Sequence, residues 1–276
     1  MIDKKRVAVI KVGGDVILDN RQLKGLVENI RTLQKSHSVV VLHGGGPQTS
    51  DLQQRLGMTP NKVGGRRITS KEDLFVIMQA IAGEVNVKLT SALIGAGLNA
   101  FGCHGASGRL IGATKRPPRA YPGTQGKAID FGEVGDVTTI NALLIKQFLD
   151  FNLIPVVATL GIDEQGHVFN INADTTVVAM AQQLQADQLF LCTQIGGVYK
   201  DLNDPTSLIS HLTPYKAKAL IDEGIIVDGM VPKIEEAIGL LAKGVGSIAI
   251  VSPLQPNAFQ AVLNGTHSIG TVITSV

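Results

Sequence analysis

The stretch Arg6-Val7-Ala8-Val9-Ile10-Lys11-Val12-Gly13-Gly14 opens a unit that closes at His43-Gly44-Gly45-Gly46-Pro47-Gln48, and the reading of that unit decides the fold. Arg6 to Val12 is a β-branched run rising out of charged residues, the pattern of a buried strand. Leu23, Leu26, Val27, Ile30 and Leu33 then recur at helical spacing, and Ser38 to Leu42 forms a second apolar strand. A strand, a helix and a strand at this length predict a parallel crossover. Each strand ends in a glycine turn, the first with Lys11 beside it. Consecutive glycines between a strand end and a short helix around Thr49 to Leu56 leave backbone N–H groups unhindered, which favours an oxyanion or phosphate. His43 in that turn reads as a strand-end imidazole bonded to backbone.

Outward from this unit the alternation continues. Strands are predicted at Asn99 to Cys103, Leu153 to Ala158, Gln188 to Cys192, Ser247 to Val251 and Thr271 to Thr274. Helices are predicted through Leu74, Ile77, Met78, Ile81 and Val85, over Asn141 to Phe151, from Asp174 to Gln185, through Leu220, and over Ile234 to Lys243. Ser70 with Asp73 approximates a capping box ahead of the first of these. Gly64-Gly65-Arg66-Arg67 reads as a glycine-rich loop or hairpin carrying two guanidinium groups suited to a two-point grip on a carboxylate. Lys115, Arg116, Arg119 and Lys127, punctuated by Pro and Gly, read as an exposed basic loop or hairpin, and Gly132 to Val137 as a lead-in to a helix. The expected class is α/β: an open αβα sandwich on a mainly parallel sheet, with two lobes meeting near residue 174.

Composition removes several functions. A chain of 276 residues that is 44% hydrophobic can bury a full core. A net charge of +2, and only Tyr121 for stacking within the basic run, argue against nucleic acid or an anionic membrane surface. The partners expected are small molecules and a second copy of the chain. Cys103 and Cys192 both sit in apolar runs and read as buried thiols in a reducing compartment. No signal-peptide pattern follows Met1, and no apolar run reaches the roughly 18 residues of a membrane span, so a cytoplasmic location is expected. There is no G-x-x-x-x-G-K-[ST], no G-x-G-x-x-G opening a helix, and no His or Cys cluster at metal spacing. Gly105-Ala106-Ser107-Gly108 lacks the second flanking glycine of a hydrolase elbow.

The chemistry is expected at Phe169-Asn170-Ile171-Asn172-Ala173-Asp174. Asn170, Asn172 and Asp174 are spaced by two and share a face in an extended segment, with Asp174 at the position of a helix N-cap. Add the glycine loops, Lys11, the arginine pair, and Lys233 just before a helix, and the parts suit phosphoryl transfer, in which a protein positions two reactants and neutralises charge.

Taken in order, Lys11-Val12-Gly13-Gly14, His43-Gly44-Gly45-Gly46-Pro47, Gly65-Arg66-Arg67-Ile68-Thr69, Phe169 to Asp174, and Gly229-Met230-Val231-Pro232-Lys233 resemble the motif set of the amino acid kinase family, in its branch acting on N-acetylglutamate. The resemblance runs nearly end to end, to Gly270-Thr271. It implies about eight strands, with residues 1–174 as the N-lobe for acyl-amino-acid binding and dimerisation and 175–276 as the ATP-binding C-lobe. Residue by residue, it implies Gly45 and Gly46 at the junction of acceptor and γ-phosphate, Arg67 on the α-carboxylate and Asn170 near the α-substituent. Lys11 and Lys233 would stabilise the transferring phosphoryl, and Asp174 would orient both lysines. Gly13, Gly14, Thr193, Gln194, Gly197 and Lys233 would contact the nucleotide; Gln194 stands where the family commonly has Asp.

The implied activity is ATP-dependent phosphorylation of the γ-carboxylate of N-acetyl-L-glutamate in arginine biosynthesis, with Mg²⁺ held mainly by the nucleotide phosphates and a homodimer as the assembly. That carboxylate, with a reference pKa of about 4.3, is ionised at neutral pH and needs no general base. The alternatives are a kinase for an N-blocked 2-aminoadipate, one methylene longer and separated by only about 1 to 3 kcal/mol, and a catalytically weak ligand sensor. With only Met1 to Lys5 ahead of the first strand, no inhibition by arginine is expected, since arginine-inhibited relatives carry a further N-terminal helix.

Overall fold

The computed structural model describes residues 5–275 apart from 65, 121–126, 202, 228–229, 243 and 266–268. Strand β1 (Arg6–Val12) runs through the middle because both its faces are apolar: Ala8, Ile10 and Val12 pack one way, Val7 and Val9 the other. It is followed by α1 (Gly14–Leu18), α2 (Asn20–Leu33), β2 (His37–His43) and α3 (Gly46–Arg55). Then come the hairpin of β3 (Lys62–Val63) and β4 (Arg66–Arg67), α4 (Lys71–Met78), a π-helical segment Gln79–Val85, and α5 (Asn86–Gly95). Next are β5 (Ala100–His104), β6 (Ile111–Lys115), β7 (Val134–Ile140), α6 (Ala142–Asp150), β8 (Ile154–Ala158), β9 (Leu160–Ile162) and β10 (Val168–Ile171). The remainder is α7 (Ala173–Leu184), β11 (Gln188–Cys192), β12 (His211–Leu212), α8 (Pro214–Asp222), α9 (Met230–Leu241), β13 (Ser247–Val251), α10 (Ala258–Leu263) and β14 (Thr271–Ile273).

Eight strands form one sheet in the order β12-β14-β13-β11-β1-β2-β8-β5, parallel throughout except between β13 and β14. The expected αβα sandwich follows from its two cores. One face packs Val9, Val40 and Val157 against α6 to α9; the other packs Ile10, Val41 and Phe190 against α1, α2, α5 and α10. β1 joins the two halves, with β2 on one side and β11 on the other, so the loops after β1, β2 and β11 emerge along one carboxyl edge. Ligands of open α/β sheets bind along that edge.

Several local expectations need correction. Gly132 to Val137 is no lead-in: β7 joins β6, β9 and β10 in a second, closed sheet that the sequence did not announce. Three of its strands, β6, β7 and β9, carry a glycine where they cross closely; a Cβ on Gly161 would come within 2.6 Å of the Ala113 Cβ. The long helix after Ser70 contains a wide π turn, a feature with no sequence periodicity of its own. Asp174 is not the cap of α7. Asn172 is, accepting from the backbone N–H groups of Asp174 and Thr175 at 2.8 and 3.0 Å. Lys233 lies inside α9 rather than before it, because that helix starts at Met230. The capping box of Ser70 and Asp73 and the buried, free Cys103 and Cys192 are as expected.

Candidate active site

The site begins with a helix that no side chain caps: Gly45 is the N-cap of α3, among the described residues no side-chain cap accepts from its first N–H groups, and Pro47 supplies no N–H. A Cβ on Gly45 would press on Ile81 and Val85, whereas one on Gly46 would meet nothing within 4 Å. The open space beyond Gly46 is a cavity of about 260 Å³. Gly45, Gly46, Arg67 and Asn170, named from sequence as acceptor contacts, all line it, together with Arg66, Arg116 and Thr159 and an apolar side from Ile77 and Ile81. The capped start of α7, Asn172-Ala173, closes another wall, so two helix N-termini end at one cavity.

Two of the arginines on the wall, Arg67 and Arg116, are held in place. Arg67 donates to Gln53 Oε1, to Ser50 Oγ at 2.8 Å and to the Gly46 carbonyl at 3.3 Å. Gln53 in turn donates to Asp73, the residue of the α4 capping box, so a helix cap and a cavity-lining arginine share one network. Burial draws the Arg67 guanidinium below its ordinary value, opposed by the Asp73 charge. Arg116 was read as part of an exposed loop, and it is buried. Its Nε and Nη2 both donate to Asp136 Oδ1, at 2.8 and 2.7 Å, and Arg119 pairs with the other oxygen at 3.0 Å. Asn170 Nδ2 donates to the hydroxyl of buried Thr69 at 3.1 Å.

Among the described residues no carboxylate lines the cavity. Arginines and helix N-termini without a carboxylate make a site for an anion of more than one charge and contain no general base. Asp174, next to the lining residue Ala173, stands in the first turn of α7 and bonds Lys11 Nζ at 2.8 Å. Lys11 is 15% exposed and sits on β1 between Leu42 and Leu191.

The nucleotide residues proposed from sequence gather at the ends of β1 and β11, where Val12 pairs with Cys192. Gln48 Nε2 donates to the Gly14 carbonyl at 2.7 Å and ties the Gly13-Gly14 turn to α3. Thr193 Oγ1 accepts from the Gly196 N–H at 2.9 Å, shaping the turn in which Gln194 is exposed. Gly197 is buried, and a Cβ there would meet Leu208 at 2.5 Å, so its smallness serves packing. α9 packs on α7, the helix of Asp174; the Lys233 side chain lies outside the described residues, as do Gly65, Tyr121 and Gly229. Among the described residues no group of three or more His, Cys, Asp or Glu could hold a metal ion.

Sequence reasoning missed Arg116, Thr69, Gln53 and the capping role of Asn172. Only the last left a signal, an Asx directly before the apolar helix pattern.

Comparison with known proteins gives a consistent result. The pattern defining the amino acid kinase family matches residues 6–252. The acetylglutamate kinase of Anaeromyxobacter dehalogenans is 38% identical over 98% of this chain and 99% of its own length. That of Sorangium cellulosum is 40% identical over 96% of this chain and 93% of its own. Among solved structures, carbamate kinase from Giardia lamblia bound to AMP-PNP superposes with a TM-score of 0.70 at 17% identity, over 99% of both chains, a likeness of fold.

Proposed function

The chain belongs to the amino acid kinase family, and from that membership and the cavity described above we infer that it transfers the γ-phosphoryl group of ATP to the side-chain carboxylate of N-acetyl-L-glutamate. The products are N-acetyl-L-glutamyl 5-phosphate and ADP, and the reaction serves arginine biosynthesis. One observation carries the reading: a carboxylate-free, arginine-walled cavity at two helix N-termini, with a lysine and aspartate pair beside it.

The acceptor is a dianion, and the roles follow from charge. Arg67 grips the α-carboxylate, with Arg116 on the same wall, and Asn170 orients the acylated α-substituent. The γ-carboxylate then lies at Gly45 and Gly46. Its oxygen attacks the γ-phosphorus, the new P–O bond forms as the bond to ADP breaks, and no proton has to be removed. Charge on the transferring group is met by the first-turn N–H groups of α3 and by Lys11, which Asp174 holds in place. Lys233 assists from the nucleotide side, and Gly13, Gly14, Thr193 and Gln194 shape that side. In this reading the N-lobe of residues 1–174 holds the acceptor and the C-lobe of 175–276 the nucleotide.

Mg²⁺ would be held mainly by the nucleotide phosphates and water, its usual arrangement, which fits a cavity that no carboxylate lines among the described residues and an Asp174 already bonded to Lys11. The assembly is a homodimer. β5 ends the large sheet, and Phe101, Ile94, Leu143 and Phe151 are exposed on it and its flanking helices, a row of apolar groups that a second copy would cover. The location is the cytoplasm; among the described residues no helix is long and apolar enough to cross a membrane.

An ADP-release assay across acetylglutamate, glutamate, acetylaminoadipate, aspartate and carbamate tests the reading. The expected result is the highest kcat/KM for acetylglutamate, about tenfold or more above acetylaminoadipate. Equal or better turnover of the aminoadipate would transfer the function to the longer acceptor.

A further inference from the structure

The glycine loop at the start of α3 has a problem of its own. Gly44, Gly45 and Gly46 carry no side chain to restrict their dihedrals, yet an N–H that stabilises a transition state has to be fixed before the reaction. Something outside the loop has to hold it.

The holder is His43. Its side chain is fully buried, with Nδ1 2.9 Å from the Gly44 carbonyl oxygen and Nε2 2.9 Å from Asn86 Nδ2. Asn86 Nδ2 also lies 3.1 Å from the Cys103 carbonyl and 2.8 Å from the Val156 carbonyl. Carbonyl oxygens only accept, so Asn86 presents its NH₂ group here; its two N–H bonds are shared among three acceptors, and because that nitrogen cannot accept, the imidazole nitrogen facing it is unprotonated. The Gly44 carbonyl also only accepts, so Nδ1 must carry the proton. Both neighbours therefore demand the same neutral tautomer. Burial agrees, pulling the His43 pKa down to about 4.

A trans peptide points its C=O and N–H in opposite directions. With the Gly44 carbonyl bonded to the imidazole, the Gly45 N–H faces away from it. Gly45 is gripped from behind as well, since a Cβ there would lie 3.1 Å from Ile81 and 3.2 Å from Val85. Both residues belong to the π-helical segment Gln79–Val85, and Asn86 follows it directly. A π turn is rare and concentrates at functional sites. Here one such turn supplies both the surface behind Gly45 and the amide that sets the His43 tautomer.

We propose that His43, oriented by Asn86, is a positioning residue for phosphoryl transfer: its Nδ1–H fixes the Gly44–Gly45 peptide plane so that the Gly45 N–H is presented to the transferring group. The proposal rests on the kinase reading given above. His43 touches neither reactant; it acts through the loop. Its loss therefore lowers kcat while ground-state binding, which depends on Arg67, Asn170 and the nucleotide turns, is retained.

Steady-state kinetics of His43→Leu and His43→Asn, with acetylglutamate and ATP each varied, test it together with the imidazole ¹⁵N spectrum of the wild-type chain at neutral pH. His43→Leu is expected to lose about tenfold or more in kcat with both KM values within about threefold of wild type. His43→Asn, whose amide can donate in place of Nδ1–H, is expected to recover a substantial part of the loss. The spectrum is expected to show the Nδ1–H tautomer for His43. A folded His43→Leu enzyme with undiminished kcat, or with its loss in KM alone, would overturn the proposal while leaving the kinase reading intact. Wild-type chain that does not turn over acetylglutamate would remove both. Where His43→Leu does not fold, the spectrum decides: Nδ1–H supports the proposal, and Nε2–H or imidazolium overturns it.

Discussion

Lys11 meets Asp174 at 2.8 Å, yet Asp174 is 37% exposed, so the pair contributes little to stability and its value is positional. Lys11→Ala is accordingly expected to lower kcat by about 10² to 10³ with a KM for acetylglutamate changed only a few-fold, as steady-state kinetics would show. Near-normal kcat would remove Lys11 from the mechanism. Arg67, with its guanidinium already held by Ser50, Gln53 and Gly46, is expected to tolerate Lys poorly. The acetylglutamate KM should rise about tenfold in Arg67→Lys and little in Arg66→Lys; the reverse order would exchange the two roles. His43 adds a pH dependence. Its folded pKa of about 4 lies below its ordinary 6.5, so the unfolded chain binds more protons between those values. The stability it gives is complete above the unfolded pKa and is lost as pH falls toward the folded one, about 3 kcal/mol in all. Denaturant midpoints at neutral pH and at about pH 4.5 would show it, with a shallower fall in His43→Asn; a flat profile would contradict it. Lys11, Arg67 and Asn170 could be singled out from sequence because each adjoins a glycine turn or sits in an Asx-rich motif. Arg116 was not, because its burial depends on Asp136, twenty positions on, and on a sheet that the sequence does not reveal.

Elements that follow one periodicity were readable, and elements that depend on a partner were not. β1, β11 and β13 lie where their apolar runs predict because strands of a parallel sheet are buried on both faces. The strands β6, β7, β9 and β10 are short or broken by Gly, Thr and Asp and pair with one another in a closed sheet, so β7 passed as a lead-in to a helix. The π turn is invisible for a similar reason: its residues read as ordinary apolar helix, and nothing in their spacing marks the place where Ile81 and Val85 pack against Gly45. The Asx before α7 was visible, but its capping role was assigned two residues late. Asn172→Ala is therefore expected to destabilise the chain by about 1 kcal/mol, a fall of about 2 to 4 °C in thermal midpoint for a chain of this size. Because α7 carries Asp174 in its first turn, kcat should fall as well. An unchanged midpoint would show that Asn172 does not cap the helix in solution.

At the scale of the molecule, one sheet continues from the half proposed to hold the acceptor to the half proposed to hold the nucleotide through the pairing of β1 with β11, and the strand order places both sets of loops on one edge. That is why two motif groups far apart in sequence can serve one transfer. At the far end of the sheet the apolar edge at β5 belongs to the proposed dimer. Phe101→Lys is expected to shift the chain from dimer to monomer in sedimentation velocity, whereas a wild-type monomer would remove the interface. The central claim is narrower: the cavity holds N-acetylglutamate so that its side-chain carboxylate receives the phosphoryl group. Trapping the acyl phosphate with hydroxylamine tests it most directly, since an acyl phosphate yields a hydroxamate and a phosphate ester or simple ATP hydrolysis does not. The account predicts one γ-hydroxamate of N-acetylglutamate for each ADP released, and ADP formed without hydroxamate would contradict it.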